Sequence, residues 1–367
     1  MRKVASKKKK KAPSSEVDLN CGDPLISSLQ RLHLGKMVHP ADSARQVLTS
    51  RFEENITPPL TFANDVNQRR LHGKFQFTDQ YIIREGIKMA SPSKNTGCSC
   101  ADCDQSTCEC FTKTVPDEVG RGTHEEQVRT YVRRPDGLVV LSNEYIDREL
   151  NPEGKHRFAV AECNDLCTCG ADCWNRVVSK GRTVPLEIFQ TAKCGFGVRS
   201  SQDIHKGQFI QRYLGEIITE AELRRREDTA DEGDSSYIYS LDWFAAINDK
   251  QYHVDGKYFG SAMRFVNHSC NPNVRCIAVQ QHKGDKKVYN LAIFAIKDIK
   301  AGVEIRIDYQ ARPASSEGSD AEAEAEAQGG SEGDEELVRC YCGEKNCRKY
   351  LWPSSAKERR RRRRISD

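Results

Sequence analysis

The chain is predicted to be mainly β, with metal-bound segments on both sides of its principal domain. Three observations point there. Short β-rich runs and Gly-centred turns dominate from Val184 onward, nine cysteines crowd into two groups upstream, and three more cysteines follow near the C-terminus. There is no βαβ rhythm and no Gly-rich phosphate loop, which argues against a nucleotide-binding α/β fold. No apolar run approaches the roughly 18 residues of a membrane span.

Residues 1–20 form a basic tail, with seven basic groups and no acid among the first eleven. Residues 354–367 form a second, with Arg359–Arg364 at its centre. Between them, residues 313–337 carry nine acids and no base, including an Ala-Glu repeat from Ala321 to Ala327. All three segments are expected to be disordered. Without residues 1–11, 313–337 and 357–367 the formal charge of +4 falls to +1, so the basicity lives in the tails. Lys7–Lys11 and Arg359–Arg364 read as nuclear-import signals, as phosphate-backbone contacts, or as solvated charge runs without a specific partner. Two such runs flanking a near-neutral core favour the nucleus.

Residues 21–95 have a mixed helical pattern and read as a segment packed against the rest. Residues 96–180 hold Cys98, Cys100, Cys103, Cys108 and Cys110, then Cys163, Cys167, Cys169 and Cys173. Three tetrahedral zinc ions need twelve thiolate positions. Nine sulfurs supply twelve if three of them bridge, whereas two separate four-cysteine sites would leave one thiol over. A disulfide framework is the competing use. No leader-like stretch opens the sequence, and 367 residues can bury a core without staples.

The insert between the cysteine groups contains the turn Tyr-Val-Arg-Arg-Pro-Asp-Gly at 131–137. Residues 181–312 form the principal domain. Gly207–Gly215 reads as a strand ending in a turn, and Thr219-Glu-Ala-Glu222 as a capping box that starts a helix. Val288–Ile296 is a β-rich run. A turn at Asp298–Gly302 then leads into the alternating strand Val303–Ile307. Residues 338–353 hold Cys340, Cys342 and Cys347, three ligands lacking a fourth, and Cys270 is the candidate to complete them.

Gly195-Phe-Gly197, Tyr213-Leu-Gly-Glu216, Arg264-Phe-Val-Asn-His-Ser-Cys270-Asn-Pro-Asn273 and Asp308-Tyr309 occur in the order of a SET-domain protein lysine methyltransferase, which this chain resembles. The nine-cysteine block is similar to that family's pre-SET region and Cys340–Cys347 to its post-SET region. The resemblance covers about residues 98–352. It implies a SET fold of small sheets with a threaded, pseudoknot-like active site. Within the family, a nine-cysteine pre-SET region marks the heterochromatin branch that methylates lysine 9 of histone H3. The likeness is to fungal members without a chromodomain. A nuclear, chromatin-bound enzyme acting on the histone H3 tail of the nucleosome is therefore expected, with S-adenosylmethionine as methyl donor. Four zinc ions are implied: three in the pre-SET cluster and one between Cys270 and the post-SET cysteines.

The resemblance also assigns roles by position. Tyr213 and Tyr309 match the tyrosines of the lysine channel. Cys194, Gly195, Phe196 and Gly197 match the loop whose backbone passes the cofactor. Tyr237, Arg264, Asn267 and His268 match further cofactor contacts, although His268 could equally be a satisfied structural histidine. Trp352 matches the aromatic that closes over the cofactor, and it could also anchor the C-terminal segment. The histone tail would add as a strand beside Tyr239–Asp242, with Asp242 either pairing with its basic residues or standing as a plain surface acid. Two positions depart from the family. Phe196 stands where Trp is common, which keeps an aromatic surface. Ile307 stands where an aromatic usually sets how many methyl groups fit, so di- and trimethylation are expected. A methyltransferase for another lysine, and a catalytically silent zinc scaffold on chromatin, are the competing readings.

Overall fold

A computed structural model of the chain describes residues 45–47, 58–71, 73–103, 108–116, 123–127, 129–150, 159–229, 237–244, 251–309 and 338–351. Lys7–Lys11, Arg359–Arg364, the acidic stretch 313–337, Cys21 and Trp352 lie outside the described residues.

Two sheets carry the principal domain. The larger has ten strands. Its path runs Arg45–Val47, Leu60–Ala63, Leu186–Gln190, Phe196–Arg199, Glu304–Ile307, Val274–Gln280, Asn290–Ala295 and Phe209–Tyr213. Asn267–His268 and Val160–Ala161 attach at its sides. The smaller sheet orders Ile238–Ser240, Tyr252–Asp255, Glu216–Thr219 and Ile82–Ile83. Ile238–Ser240 is an edge strand, and no described strand pairs with its outer side.

These strands are too short to be stable alone, so the shared core holds them. Ile188, Val198, Ile210, Ile217, Val254 and Ile305 are fully buried in it. Each large aliphatic chain so buried contributes about 1.5–3 kcal/mol.

The active-site region is built by threading. Glu304–Ile307 inserts between Phe196–Arg199 and Val274–Gln280. It runs antiparallel to the former, with Val198 opposite Ile305. It runs parallel to Asn267–His268 and to the start of Val274–Gln280, so both His268 and Val274 stand opposite Ile307. The chain from Asn267 to Val274 thus loops across this late strand, the pseudoknot-like crossing expected of the fold. Along the strand Ile305 and Ile307 face the core while Glu304 and Arg306 are partly exposed, the two-residue alternation of a half-buried strand.

Local signals translate closely in this domain. Strands form at Phe209–Tyr213, Asn290–Ala295 and Glu304–Ile307, inside the runs read from sequence. The helix Glu220–Asp228 starts after Thr219, whose Oγ1 accepts from the Glu222 N–H at 3.3 Å. Only half of the capping box forms, because the Glu222 carboxylate turns to Arg225 and Arg226. The 131–137 segment makes a hairpin in which Arg134 N–H bonds Leu138 O at 2.8 Å and Gly137 takes φ +85°.

One expectation fails. The mixed helical pattern of residues 21–95 gives no α-helix among the described residues. From residue 58 it forms the strands Leu60–Ala63, Gln76–Phe77 and Ile82–Ile83 and one 3-10 turn, Pro92–Lys94. Leu60–Ala63 pairs in parallel with Leu186–Phe189, and Phe75 packs edge-on against Phe265 at 5.3 Å. Long-range pairing overrides a weak local preference here.

Candidate active site and zinc centres

The nine upstream cysteines converge into one buried cluster. The Sγ–Sγ separations include 3.8 Å for Cys98–Cys103, 3.5 Å for Cys103–Cys163, 3.7 Å for Cys103–Cys108, 3.6 Å for Cys110–Cys163 and 3.8 Å for Cys163–Cys173. Two thiolates on one tetrahedral zinc, with Zn–S of about 2.3 Å, stand about 3.8 Å apart. A disulfide would need about 2.05 Å, and every described cysteine is unpaired. The donor set therefore fits zinc. Cys98 and Cys163 recur in three of the four-sulfur groups, and Cys103, Cys108 and Cys169 in two. Sharing of this kind is what a bridged cluster needs. Phe111 stacks on Trp174 at 5.3 Å beside the cluster, and the Trp174 indole N–H donates to Cys103 O at 2.8 Å.

Cys270, Cys340, Cys342 and Cys347 form a separate four-sulfur group, with Cys270 and Cys340 3.9 Å apart. Cys270, the candidate named from the sequence as the fourth ligand of this site, is the residue found there. The threaded crossing supplies it, by carrying Cys270 to the segment 338–351.

Of the two tyrosines expected to line the lysine channel, Tyr213 is buried and its hydroxyl donates to Tyr237 O at 2.6 Å. Gly256 makes room for this, since a Cβ there would lie 2.7 Å from the Tyr213 hydroxyl. Tyr309 is 43% exposed, and its hydroxyl donates to Val266 O at 2.9 Å. Burial around the hydroxyls raises both phenol pKa values above their ordinary range. The Tyr309 hydroxyl also feels Tyr237, Cys194, Glu304 and Arg264, which sets these groups around a common space.

The residues expected to form the cofactor loop gather at the same place. Gly195 takes φ +66°, and Thr191 closes the turn with N–H and Oγ1 bonds to Gly195 O, each 2.7 Å. Cys194 N–H donates to Thr191 Oγ1 at 2.9 Å, and Gly197 follows in the strand Phe196–Arg199. Phe196 turns its ring into the core, edge-on to Phe62 at 5.4 Å and near Phe265 at 6.3 Å. Its backbone carbonyl accepts from Asn267 Nδ2 at 3.0 Å. That amide also donates to Glu304 Oε1 at 2.8 Å, so Asn267 ties the loop to the threaded strand. The Arg264 guanidinium lies over the Tyr237 ring at 3.9 Å and donates to Gly256 O at 2.9 Å. His268 is buried between Cys270, Tyr309 and Arg348.

Tyr239 lies on the open edge strand with its ring 5.4 Å from Tyr213, and Asp242 is exposed just beyond that strand. Ile307 is 7% exposed and lines a cavity of about 220 Å³ with Tyr239, Val274, Cys276 and Ile296.

Several residues at these sites carried no sequence signal. Gly256 is one. Lys283, from the hairpin after Val274–Gln280, donates to Cys110 Sγ at 2.9 Å, where a cation offsets the negative charge of a thiolate cluster. Asp308 and Arg348 pair at 2.6 Å, and Arg306 and Glu344 at 2.6 Å.

The SET domain family matches residues 195–310 and the Pre-SET motif residues 52–176. The chain is 34% identical over 328 residues to the "Histone-lysine N-methyltransferase, H3 lysine-9 specific KMT1" of Fusarium mangiferae, covering 82% of this chain and 90% of that protein. It is 36% identical over 317 residues to the Neurospora crassa protein "H3 lysine-9 specific dim-5", again covering 82% and 90%. The solved structure of that Neurospora SET-domain protein matches with a TM-score of 0.60, over 69% of this chain and 95% of that one. KRYPTONITE, solved in complex with mCHH DNA, an H3(1-15) peptide and SAH, matches at 25% identity with a TM-score of 0.56, over 80% of this chain and 51% of that one. The chain belongs to the SET-domain histone-lysine N-methyltransferases that carry a pre-SET motif, enzymes that take their methyl group from S-adenosylmethionine.

Proposed function

We propose that the chain methylates lysine 9 of histone H3, up to the di- and trimethylated states, at heterochromatin in the nucleus. One observation carries the chemistry. Tyr213 and Tyr309 each direct the hydroxyl proton to a backbone carbonyl, at 2.6 and 2.9 Å, and a phenolic oxygen that donates its proton retains acceptor capacity. An amine N–H and the polarised C–H groups of a methyl in transfer are the partners such oxygens suit. When bound, S-adenosylmethionine supplies that methyl on a sulfonium centre. The residues' task is alignment and exclusion of water. The Gly195 turn lets backbone approach the cofactor, Asn267 fixes that loop to the strand, and Arg264 on Tyr237 walls the space. The lysine must arrive neutral, and phenols with raised pKa values do not take its proton, so water does.

The choice of lysine 9 rests on the two fungal relatives named for it. The open edge at Ile238–Ser240 suits an added peptide strand, and exposed Asp242 suits a basic tail. Three ions would use all nine upstream sulfurs as follows: Cys98 and Cys103 with Cys100 and Cys108; Cys103 and Cys163 with Cys169 and Cys173; Cys98 and Cys163 with Cys110 and Cys167. Cys98, Cys103 and Cys163 would then bridge, and a fourth ion would sit among Cys270, Cys340, Cys342 and Cys347. Lys7–Lys11 and Arg359–Arg364 would serve import or phosphate contact, on composition alone.

Mass spectrometry of a histone H3 tail peptide, incubated with zinc-loaded protein and S-adenosylmethionine, tests the proposal. Stepwise methyl gains are expected, and none on a peptide with alanine at lysine 9. Equal gains on both peptides would move the substrate to another lysine, and no gain on either would reject the histone H3 tail.

A further inference from the structure

Two ion pairs cross between the segment 338–351 and the strand that carries Ile307, and their polarities are opposed. Arg306 Nη2 donates to Glu344 Oε1 at 2.6 Å. Arg348 Nη2 donates to Asp308 Oδ1 at 2.6 Å, with its Nη1 3.3 Å from Oδ2. The strand side thus offers a base then an acid, and the segment an acid then a base. Arg306 and Asp308 flank Ile307 on either side in the chain, and Asp308 and Arg348 line the same cavity as Ile307. All four side chains are 20–27% exposed, partly desolvated, where charge-assisted bonds are stronger than in open water. Weaker bonds fill in around them. Arg306 Nη1 reaches Cys342 O at 2.9 Å, Ser269 and Asn271 reach the Glu344 carboxylate at 3.4 Å, and Asn346 Nδ2 reaches Cys270 O at 2.9 Å.

We propose that these four residues form a reciprocal clasp that seats the segment on the active-site strand. They are positioning residues, acting on the reaction through Ile307 and Tyr309. The fourth zinc joins the segment to the rest only through Cys270, and a single tether leaves rotation about that point. Ion pairs on both flanks of Ile307 remove the rotation. The alternating polarity also selects the register. A mis-seated segment would set Arg348 against Arg306, or Glu344 against Asp308, and like charges would expel it. Seating therefore fixes Ile307, which lines the cavity of about 220 Å³, and Tyr309 two residues on.

The clasp deepens the methyltransferase reading and rests on it for one readout only. The test compares Arg306→Glu, Glu344→Arg and the double swap in the full zinc-loaded chain. The KM for S-adenosylmethionine is measured with the H3 peptide. The rate at which a chelator removes the zinc of Cys270, Cys340, Cys342 and Cys347 is measured separately. Each single reversal is expected to raise KM about tenfold, equivalent to about 1.4 kcal/mol, and to speed zinc loss by a similar factor. The double swap is expected to return both to within about threefold of the parent, a recovery that general damage would not give. Single variants within about twofold of the parent in both readouts, or a double swap without recovery, would overturn the clasp. If the parent itself leaves the peptide unmodified, the function reading fails and the chelator rates alone decide.

Discussion

The imidazole Nδ1 of His268 accepts a hydrogen bond from the backbone N–H of Tyr309 at 3.2 Å. Burial pushes the His268 pKa down to about 4, so the ring is neutral at pH 7. The other ring nitrogen, Nε2, lies 3.3 Å from Cys270 Sγ and 3.1 Å from Arg348 Nη2. One imidazole therefore spans a zinc-site sulfur and the channel tyrosine. His268→Phe keeps the ring volume and leaves the Tyr309 N–H without its acceptor. An unpaired group of this kind costs about 1–3 kcal/mol, so kcat should fall about 10- to 100-fold. Peptide turnover, with zinc content as a control, measures this; an unchanged kcat would mean that Tyr309 is held by other contacts.

The raised phenol pKa values set the pH profile. An acid whose pKa is raised keeps its proton to higher pH, so Tyr213 and Tyr309 should not ionise as pH climbs from 7 to 10. The substrate lysine, with a reference pKa of about 10.4, then titrates alone. The value of kcat/KM should rise about tenfold per pH unit, without an early plateau. A plateau near pH 8 would instead point to a protein group taking the proton.

How much of this was legible in the sequence depended on whether chemistry ties residue type to spacing. Zinc does so, and the thirteen cysteines assigned to it all fall into four-sulfur groups. Asn267, His268 and Cys270 were singled out because the run Arg264–Asn273 resembles a family motif. Arg348 was not: arginines are common, and its partner Asp308 lies 40 residues away across an acidic stretch. Gly256 is one of 25 glycines in the sequence, and only the Tyr213 hydroxyl, 2.7 Å from where a Cβ would lie, marks it out. The strands before residue 90 escaped for a different reason. Gln76–Phe77 and Ile82–Ile83 are two residues each, too short to show a period, and they exist through pairing with Phe259–Gly260 and Glu216–Ile217.

Glu162 joins three regions that the sequence keeps apart. Its buried carboxylate accepts from Tyr131 at 3.0 Å, from the N–H groups of Val177, Val178 and Ser179 at 2.8, 2.6 and 3.1 Å, and from Gln281 at 3.4 Å. Glu162→Ala strands these donors and should destabilise the fold by about 3 kcal/mol, while Glu162→Gln should cost roughly half as much. Urea unfolding midpoints give the comparison, and a loss under about 1 kcal/mol for alanine would show that water replaces the carboxylate.

The two zinc centres should differ in what they support. Cys342→Ala removes one ligand from the site that docks the segment 338–351, and should abolish turnover while the core melts as before. Cys163→Ala removes a sulfur that recurs in three groups, and should unfold the region 96–180. Activity assays beside circular dichroism distinguish the two; full activity in Cys342→Ala would remove the post-SET zinc from the mechanism.

Ile307 bears on product. It lines the cavity of about 220 Å³ where its neighbours are Tyr239, Val274, Cys276 and Ile296, and no hydroxyl at position 307 restrains an incoming amine. A partly methylated lysine must rotate its remaining lone pair toward the donor, and the added methyl groups need somewhere to go. On the proposed reading, the space beside Ile307 would supply that room. Ile307→Tyr would fill part of it and add a hydroxyl near the amine, so the variant should stop at the monomethylated product. Ile307→Phe adds bulk without the hydroxyl and should slow the third transfer more than the first. The final product distribution, read by mass spectrometry after exhaustive incubation, separates the two effects. Trimethylation persisting in Ile307→Tyr would mean that the methyl groups are accommodated elsewhere than beside this residue.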